Sequence, residues 1–451
     1  MRTSLFWYTK DLRLDDLPGL ARACRETERV IPVYIWDDEH LEEEADNRKA
    51  FVLGSLQQLD HELRTRGSGL VLRQGGTEAQ LIKLCDDHGA QHVFCSASRD
   101  PATAGLQRRT EQALRTHQIE LRQEKGNYLL DPKAISTLSG GVYKVFTPFR
   151  NAALKTLRAD PAVTPTVTQL DLPPVTWPEP ELRDISPLRQ RGGLREAETL
   201  WQEFVSDGLE HYATGRNDLA NERGTSKLSA HLNHGTISVH RVLRDLNEID
   251  GEGRDAFVNE LLWREFNYYI AYHFPDVLHT AFKQELALIR WPGKPEHLEA
   301  WKEGRTGYPV VDAAMRELRE TGRMHNRARM IVASFLVKDL LIDWRSGEEH
   351  FFDWLTDGDQ VQNNAGWQWS ASTGVDAQPY FRIFNPITQG KRFDATGEYV
   401  RRYLPELRHR SNKTLHDVNL DDGYPKAIVD HARQREQALA LFKQATERHR
   451  T

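Results

Sequence analysis

Short apolar runs alternating with amphipathic stretches make up the first 130 residues of the chain. SLFWY (4–8), VIPVYIW (30–36), LVLR (70–73) and HVFCS (92–96) are rich in β-branched and aromatic residues and read as strands. Residues 48–66, 77–88 and 101–117 carry apolar positions at helical spacing and read as helices between them. Strands joined in that way need right-handed crossovers, so the pattern predicts a doubly wound, Rossmann-like parallel sheet in an α/β domain. No GxGxxG follows the first strand, so the dinucleotide fingerprint is absent and the fold alone licenses no cofactor there. Prolines 161, 165, 173, 174, 178, 180 and 187 mark an extended connector. From about residue 196 the pattern is helical almost throughout. The expected division is an α/β domain at 1–130, an interdomain linker at 131–195 and an all-helical domain at 196–451.

Composition narrows the picture. A chain of 451 residues with 39 % hydrophobic and 28 % charged content has room for two or three globular domains. It holds no apolar run of membrane-spanning length, and the charged opening MRTSLFWYTKDLR is no signal peptide. Cys24, Cys85 and Cys95 fit no metal-ligand spacing and read as reduced thiols. A cytoplasmic monomer is therefore expected, with no metal, no membrane and no obligate protein partner. The net charge of −6 opposes indiscriminate coating of DNA, so any nucleic-acid contact needs a local basic patch.

One block resists these patterns. DGDQVQNNAGWQWSASTGVDAQPYFRIFN (357–385) sets Asp357, Asp359, Asn363, Asn364, Trp367 and Trp369 close together, and neither helical nor strand periodicity explains the mixture. Rings beside acids and amides suit a flat ligand with a polar edge. The competing reading is an irregular buried loop with structural tryptophans. A second segment, GTSKLS (224–229), puts hydroxyls, main-chain N–H groups and a lysine ahead of a helical stretch. Such groups suit phosphate oxygens, although Thr and Ser also cap helices.

Together with GTSKLSAHLNHGTIS (224–238), NELLWREF (259–266), GRTGYPVVDAAMREL (304–318), MHNRARMIVASFLVKDLLIDWR (324–345) and FNPITQGKRFD (384–394), the block resembles the photolyase and cryptochrome family. The likeness is strongest to bacterial class I enzymes that repair cyclobutane pyrimidine dimers. That resemblance implies an N-terminal α/β domain joined by a long loop to an all-helical flavin domain. It implies FAD held by Tyr212, Thr225, Ser226, Lys227, Leu228, Ser229, Arg264, Asn326, Arg329, Asp357, Asp359 and Asn363. By the same resemblance Asp357 pairs with Arg329, Asp359 meets the polar edge of the flavin ring, and Asn363 faces its N5. Trp367, Trp344 and Trp291 match an electron-carrying chain running from flavin to surface; Trp301 and Trp354 are given no such role.

Family enzymes flip the damaged bases of UV-irradiated DNA out of the duplex. Helical spacing puts Glu260, Trp263 and Arg264 on one face, and Asn326 one turn from Met330. The resemblance makes Trp263 and Trp369 the walls around the dimer, with Asn326, Met330 and Glu260 against it; Glu260 would also stabilise the reduced dimer if a desolvated pocket keeps it protonated. Arg216, Arg327 and Gln389 match DNA contacts. Arg323, four residues before Arg327, is expected to double its positive face.

Three departures stand out. Arg323 replaces an aromatic residue of close relatives, the opening WYTKDLRL is unusual, and Ala102 and Thr103 stand where folate binders carry Asn-Glu. The last opposes the usual folate antenna and leaves a deazaflavin, another flavin or no antenna. The implied function is light-driven dimer repair. Its chief rival, a signalling cryptochrome, is disfavoured by Asn363 and by the lack of a tail-like C-terminal composition. Repair of six-four photoproducts is disfavoured by Asn326 where those enzymes carry histidine, and a pyridine-nucleotide oxidoreductase lacks its glycine signature.

Overall fold

The computed structural model describes residues 2–41 and 44–448. Strands β1 (Thr3–Tyr8), β2 (Arg29–Trp36), β3 (Val71–Gln74), β4 (His92–Ala97) and β5 (Glu120–Lys125) form one sheet in the order β3-β2-β1-β4-β5, and every pairing is parallel. Side chains alternate across it. Phe6 and Tyr8 pack under α1 (Pro18–Glu26) and α2 (Asp46–Thr65), whereas Leu5 and Trp7 pack against α3 (Thr77–His88) and α4 (Pro101–Thr116). Helices thus cover both faces, as the alternating pattern implied. The sequence reading missed α1 and β5. The latter, ELRQEK, is a polar edge strand with no apolar run to betray it.

Sheet order reverses between β1 and β4, and a doubly wound sheet offers its crevice beyond the carboxyl ends of such strands. Here the helical half fills that crevice. Lys10, just after β1, donates to Asn233 Oδ1 at 2.9 Å, and Arg99, just after β4, reaches Glu265 Oε2 at 3.3 Å. Glu265 lies on α6 (Glu252–His273) and is almost wholly buried. It also accepts from Arg264 and from the main-chain N–H groups of Leu129 and Leu130.

A second clamp comes from α2. Arg48 and Asn47 donate to the carbonyls of Leu355 (3.0 Å) and Trp354 (2.7 Å), with Arg48 also reaching Phe352 O. These carbonyls end a helix just before the acidic turn 357–359. A buried guanidinium satisfies them and complements the negative end of the helix. The α/β half therefore fixes the turn on which the candidate site is built.

Between Thr156 and Leu194 the chain forms no helix or strand. Just before it, α5 (Phe146–Thr156) falls within the expected linker yet packs through Phe146, Phe149 and Ala153 into the core around α6. A second core gathers other helices, among them α7 (Asn326–Ser334), α8 (Trp344–Trp354), α9 (Gln360–Ala371) and α10 (His431–Arg448). Among the described residues no helix is long and apolar enough to cross a membrane.

Replacing Glu265 with alanine strands two buried N–H groups and leaves two arginines short of a counter-charge. The expected cost is about 3–5 kcal/mol, read as a fall in urea midpoint; a midpoint within error of wild type would refute this role.

Candidate functional site

Part of the block that showed no periodicity, Gln360–Ala371, is helical, and residues 372–385 are irregular. Asn363, Asn364, Trp367 and Trp369 all lie on α9. The competing reading, an irregular buried loop, fails over 360–371, where α9 escapes periodicity because it is packed on several sides. Its polar groups meet neighbouring chain instead of forming a solvent stripe. Asp359 caps it, accepting from Gln362 N at 3.0 Å through Oδ1, while Oδ2 accepts from the Tyr268 hydroxyl. Both oxygens of this acid, expected at a ring edge, thus have protein partners. The free N–H groups of a helix start draw a carboxylate in this way.

Asp357 behaves as the pairing acid. Arg329, on α7, brings Nη2 to its two oxygens at 3.0 and 2.9 Å. Burial pushes the Asp357 carboxyl up, but Arg329 and the Ser229 hydroxyl outweigh it and hold the group below its usual range. That contact joins the segments 224–229, 326–334 and 357. Lys227 sits in the same neighbourhood in a left-handed backbone conformation (φ 55°), its ammonium lowered by burial and by the nearby Arg323. Arg323 precedes α7 and so does not share a helix face with Arg327. The expected double face is not formed. Its charge instead bears on Lys227, Glu317 and Asp357.

Glu348 was missed by the sequence reading. Its side chain accepts from Asn364 Nδ2 at 3.0 Å, and its carbonyl accepts from Asn363 Nδ2 at 2.9 Å. Burial raises the carboxyl to about 7. Holding the Asn363 NH₂ leaves Oδ1 as its free acceptor. Arg264 is committed elsewhere, donating to Asn127 O at 3.0 Å and lying over the rings of Tyr128 and Tyr268. It does not share the partners of Glu260 and Trp263.

Trp367, Trp344 and Trp291 belong to one core cluster, the first two buried and Trp291 half-buried against Phe442. Gly347 makes this packing possible, since a β-carbon there would lie 2.1 Å from the Trp367 indole. Trp301, set aside on sequence, has its ring centroid 6.1 Å from that of Trp367.

The other candidate residues form an open, cationic side. Arg216 pairs with Glu260 and lies over the Tyr212 ring at 5.7 Å. Glu260 is therefore ion-paired rather than alone against an apolar wall. Asn326 is exposed, with Nδ2 3.9 Å from Met330 Sδ, as helical spacing required. Arg327 donates to Asn217 Oδ1 at 2.7 and 3.1 Å and covers the Phe393 ring. Burial and the charges of Arg216 and Arg392 lower its pKa. Gln389 is on the neighbouring helix Pro386–Phe393. Trp263 and Trp369 are half-buried. Trp369 and Trp367 are two positions apart and leave α9 in different directions, about 200° around its axis.

The residues fit FAD. Opposed cations at Lys227 and Arg323 suit a pyrophosphate, and Trp367 Nε1 is buried with no hydrogen-bond partner among the described residues. Leu228 and the half-buried Thr225 and Ser226 adjoin Lys227 in the chain, and Tyr212 opens the helix Tyr212–Gly215, whose last residue lies against Gly224. No group of three or more metal-ligating side chains occurs among the described residues. Separately, a cavity of about 460 Å³ opens in the α/β half beside Trp36, Asp38, Glu39, Lys49 and Pro180.

A parallel α/β sheet bearing a helical body with an acid–arginine pair, a lysine cradle and clustered tryptophans defines a flavin-binding protein of two parts. Residues 4–168 match the family model described as DNA photolyase, and residues 257–444 that described as the FAD binding domain of DNA photolyase. The deoxyribodipyrimidine photo-lyase of Escherichia coli is 39 % identical over 99 % of each chain. A bacterial class III photolyase from Agrobacterium tumefaciens superposes with a TM-score of 0.89 at 35 % identity, covering 99 % of this chain and 98 % of that one. An archaeal photolyase from Sulfolobus tokodaii, solved with two FAD molecules, gives 0.86 at 31 % identity, covering 98 % and 100 %. The chain belongs to the DNA photolyase family.

A Glu348 value raised from 4.5 to about 7 means that the folded protein favours the neutral carboxyl. Its contribution is greatest below pH 4.5 and is lost as pH rises through 7. Glu348→Gln should therefore flatten the stability curve between pH 5 and 8, as read by thermal melts; an unchanged slope would show that Glu348 does not titrate there.

Proposed function

We propose that this protein is a light-driven lyase that repairs cyclobutane pyrimidine dimers in UV-damaged DNA, with FAD as its cofactor. The observation that carries the reading is the make-up of α9 and its turn. One helix carries an oriented amide (Asn363), a buried indole (Trp367) and a half-buried one (Trp369), behind an acid already paired with Arg329.

Reduced FAD, when photoexcited, supplies the electron that opens the cyclobutane ring and accepts it back afterwards. The chain's own residues do the rest. Lys227, with Thr225, Ser226 and Ser229, would neutralise and bind the pyrophosphate, and Arg329–Asp357 would flank the ring, with Tyr212 and Leu228 lining the site; Arg264, bound to Asn127 O, would act only through its stack with Tyr268, which holds Asp359. Asn363 keeps one amide orientation because Glu348 holds its NH₂, and so offers a constant acceptor to the ring edge. Trp367, Trp344 and Trp291 would relay electrons inward by short hops between polarizable rings. Trp263 and Trp369 would stack on the extruded bases, with Asn326, Glu260 and Met330 meeting their edges. Arg216, Arg327 and Gln389 would contact phosphates.

The cavity beside Trp36 is the candidate seat of a second chromophore. Thr103 is an unsuitable folate ligand, because it is buried and its hydroxyl proton already goes to Asp100 at 2.7 Å. We keep the division into α/β, linker and helical parts, and a cytoplasmic monomer acting on DNA without an obligate protein partner, as part of the proposal. Asn363 and the Trp263–Trp369 pair favour repair over a signalling role.

The test is to illuminate the FAD-reduced protein with an oligonucleotide carrying one thymine dimer. Restored thymines are expected; an intact dimer under light that still changes the pigment spectrum would indicate a photoreceptor. Trp344→Phe should abolish photoreduction of oxidised flavin while sparing repair by chemically reduced protein, and equal loss of both would reject the relay. Arg327→Ala should weaken binding of damaged and undamaged DNA alike and lower the salt slope by about one. An unaltered slope would take Arg327 off the phosphate track.

A further inference from the structure

Trp263 is not a free wall. The Phe146 ring lies flat against it, with centroids 3.8 Å apart and planes 9° from parallel. Phe146 is itself buried and is wedged edge-on against Phe266 at 5.8 Å. An indole has two faces, and one is already taken. An incoming base can stack only on the other.

Phe146 is the first residue of α5, and Val145 before it supplies no side-chain cap. The cap comes from elsewhere in the chain. Asp376 Oδ2 accepts from Phe146 N at 2.9 Å. Asp376 belongs to the loop that follows Trp369, is exposed, and has a left-handed φ of 47°. Asp is among the few residues that visit that region, and a carboxylate at a helix start gains from both the free N–H and the helix dipole. Val375, next to it, packs against the same core as Phe146. The loop leaving one aromatic wall is thereby fastened to the residue that backs the other.

We infer that Phe146, seated by Asp376, is a positioning residue for damaged-base recognition, holding Trp263 with a single open face at a set distance from Trp369. The inference rests on the reading of Trp263 and Trp369 as the walls of the slot. An indole already immobilised against a second ring loses less rotamer freedom on stacking, so pre-organisation appears as affinity.

The test uses the full-length, flavin-loaded protein and measures binding to a thymine-dimer oligonucleotide and to its undamaged counterpart, with flavin content recorded. Phe146→Leu should weaken the damaged arm by about three- to tenfold, leave the undamaged arm and flavin content unchanged, and raise KM more than it lowers kcat. Phe146→Tyr should restore discrimination. Asp376→Ala, at an exposed position that cannot hollow the core, should lose part of the same discrimination, and Asp376→Asn, which keeps an acceptor, should recover it. If Phe146→Leu does not fold, the Asp376 pair decides. Unchanged discrimination in Phe146→Leu and Asp376→Ala, or equal weakening of both arms, would overturn the inference. Trp263→Ala separates the two levels. If it too leaves discrimination intact, the slot itself is misassigned; if it abolishes discrimination while Phe146→Leu does not, only the positioning role fails.

Discussion

The structure depends on burying a polar helix. In α9, side chains on several sides face protein rather than water, and each polar group left without a partner would cost about 1–3 kcal/mol. Gln368 illustrates the solution. Its amide donates to Val277 O, Thr280 O and Asn364 Oδ1, and accepts from Phe282 N. Asp359 takes the helix start and Tyr268, and Glu348 takes the two asparagines. A network satisfied to this degree fixes side-chain orientation as firmly as apolar packing does. Trp367 and Trp369 are consequently held in place by bonds that neither indole makes.

The two halves of the chain contribute differently to that rigidity. The sheet gives up its usual ligand crevice to the helical body through Lys10, Arg99 and Glu265, and α2 reaches across to finish the helix ahead of the acidic turn. Charge is arranged locally. The chain is acidic overall, yet Arg216, Arg327 and Arg392 lie close enough to depress the guanidinium of Arg327. A cationic patch on an acidic body would confine any phosphate contact to one side.

How much of this the sequence disclosed follows from what each segment buries. Central strands β1, β2 and β4 were readable to within a residue because their middles are buried on both faces and hold mostly apolar residues. The edge strand β5 and helix α9 were missed for opposite reasons, one too exposed to be apolar and the other too enclosed to be amphipathic. Within the site, contacts set by helical spacing, such as Asn326 with Met330, were derivable, and resemblance supplied Arg329 with Asp357. Phe146 against Trp263 and Gly347 against Trp367 were not, because no local pattern encodes a contact between distant segments. Arg323 misled because the spacing rule was applied where the helix had not begun.

The central claim is that one helix serves two binding functions on separate sides, flavin near its start and damaged bases at Trp369. Trp369→Ala addresses it directly when FAD content and discrimination between damaged and undamaged oligonucleotides are measured on the same preparation. Full FAD content with lost discrimination is the predicted result. Loss of FAD, or discrimination equal to wild type, would contradict it.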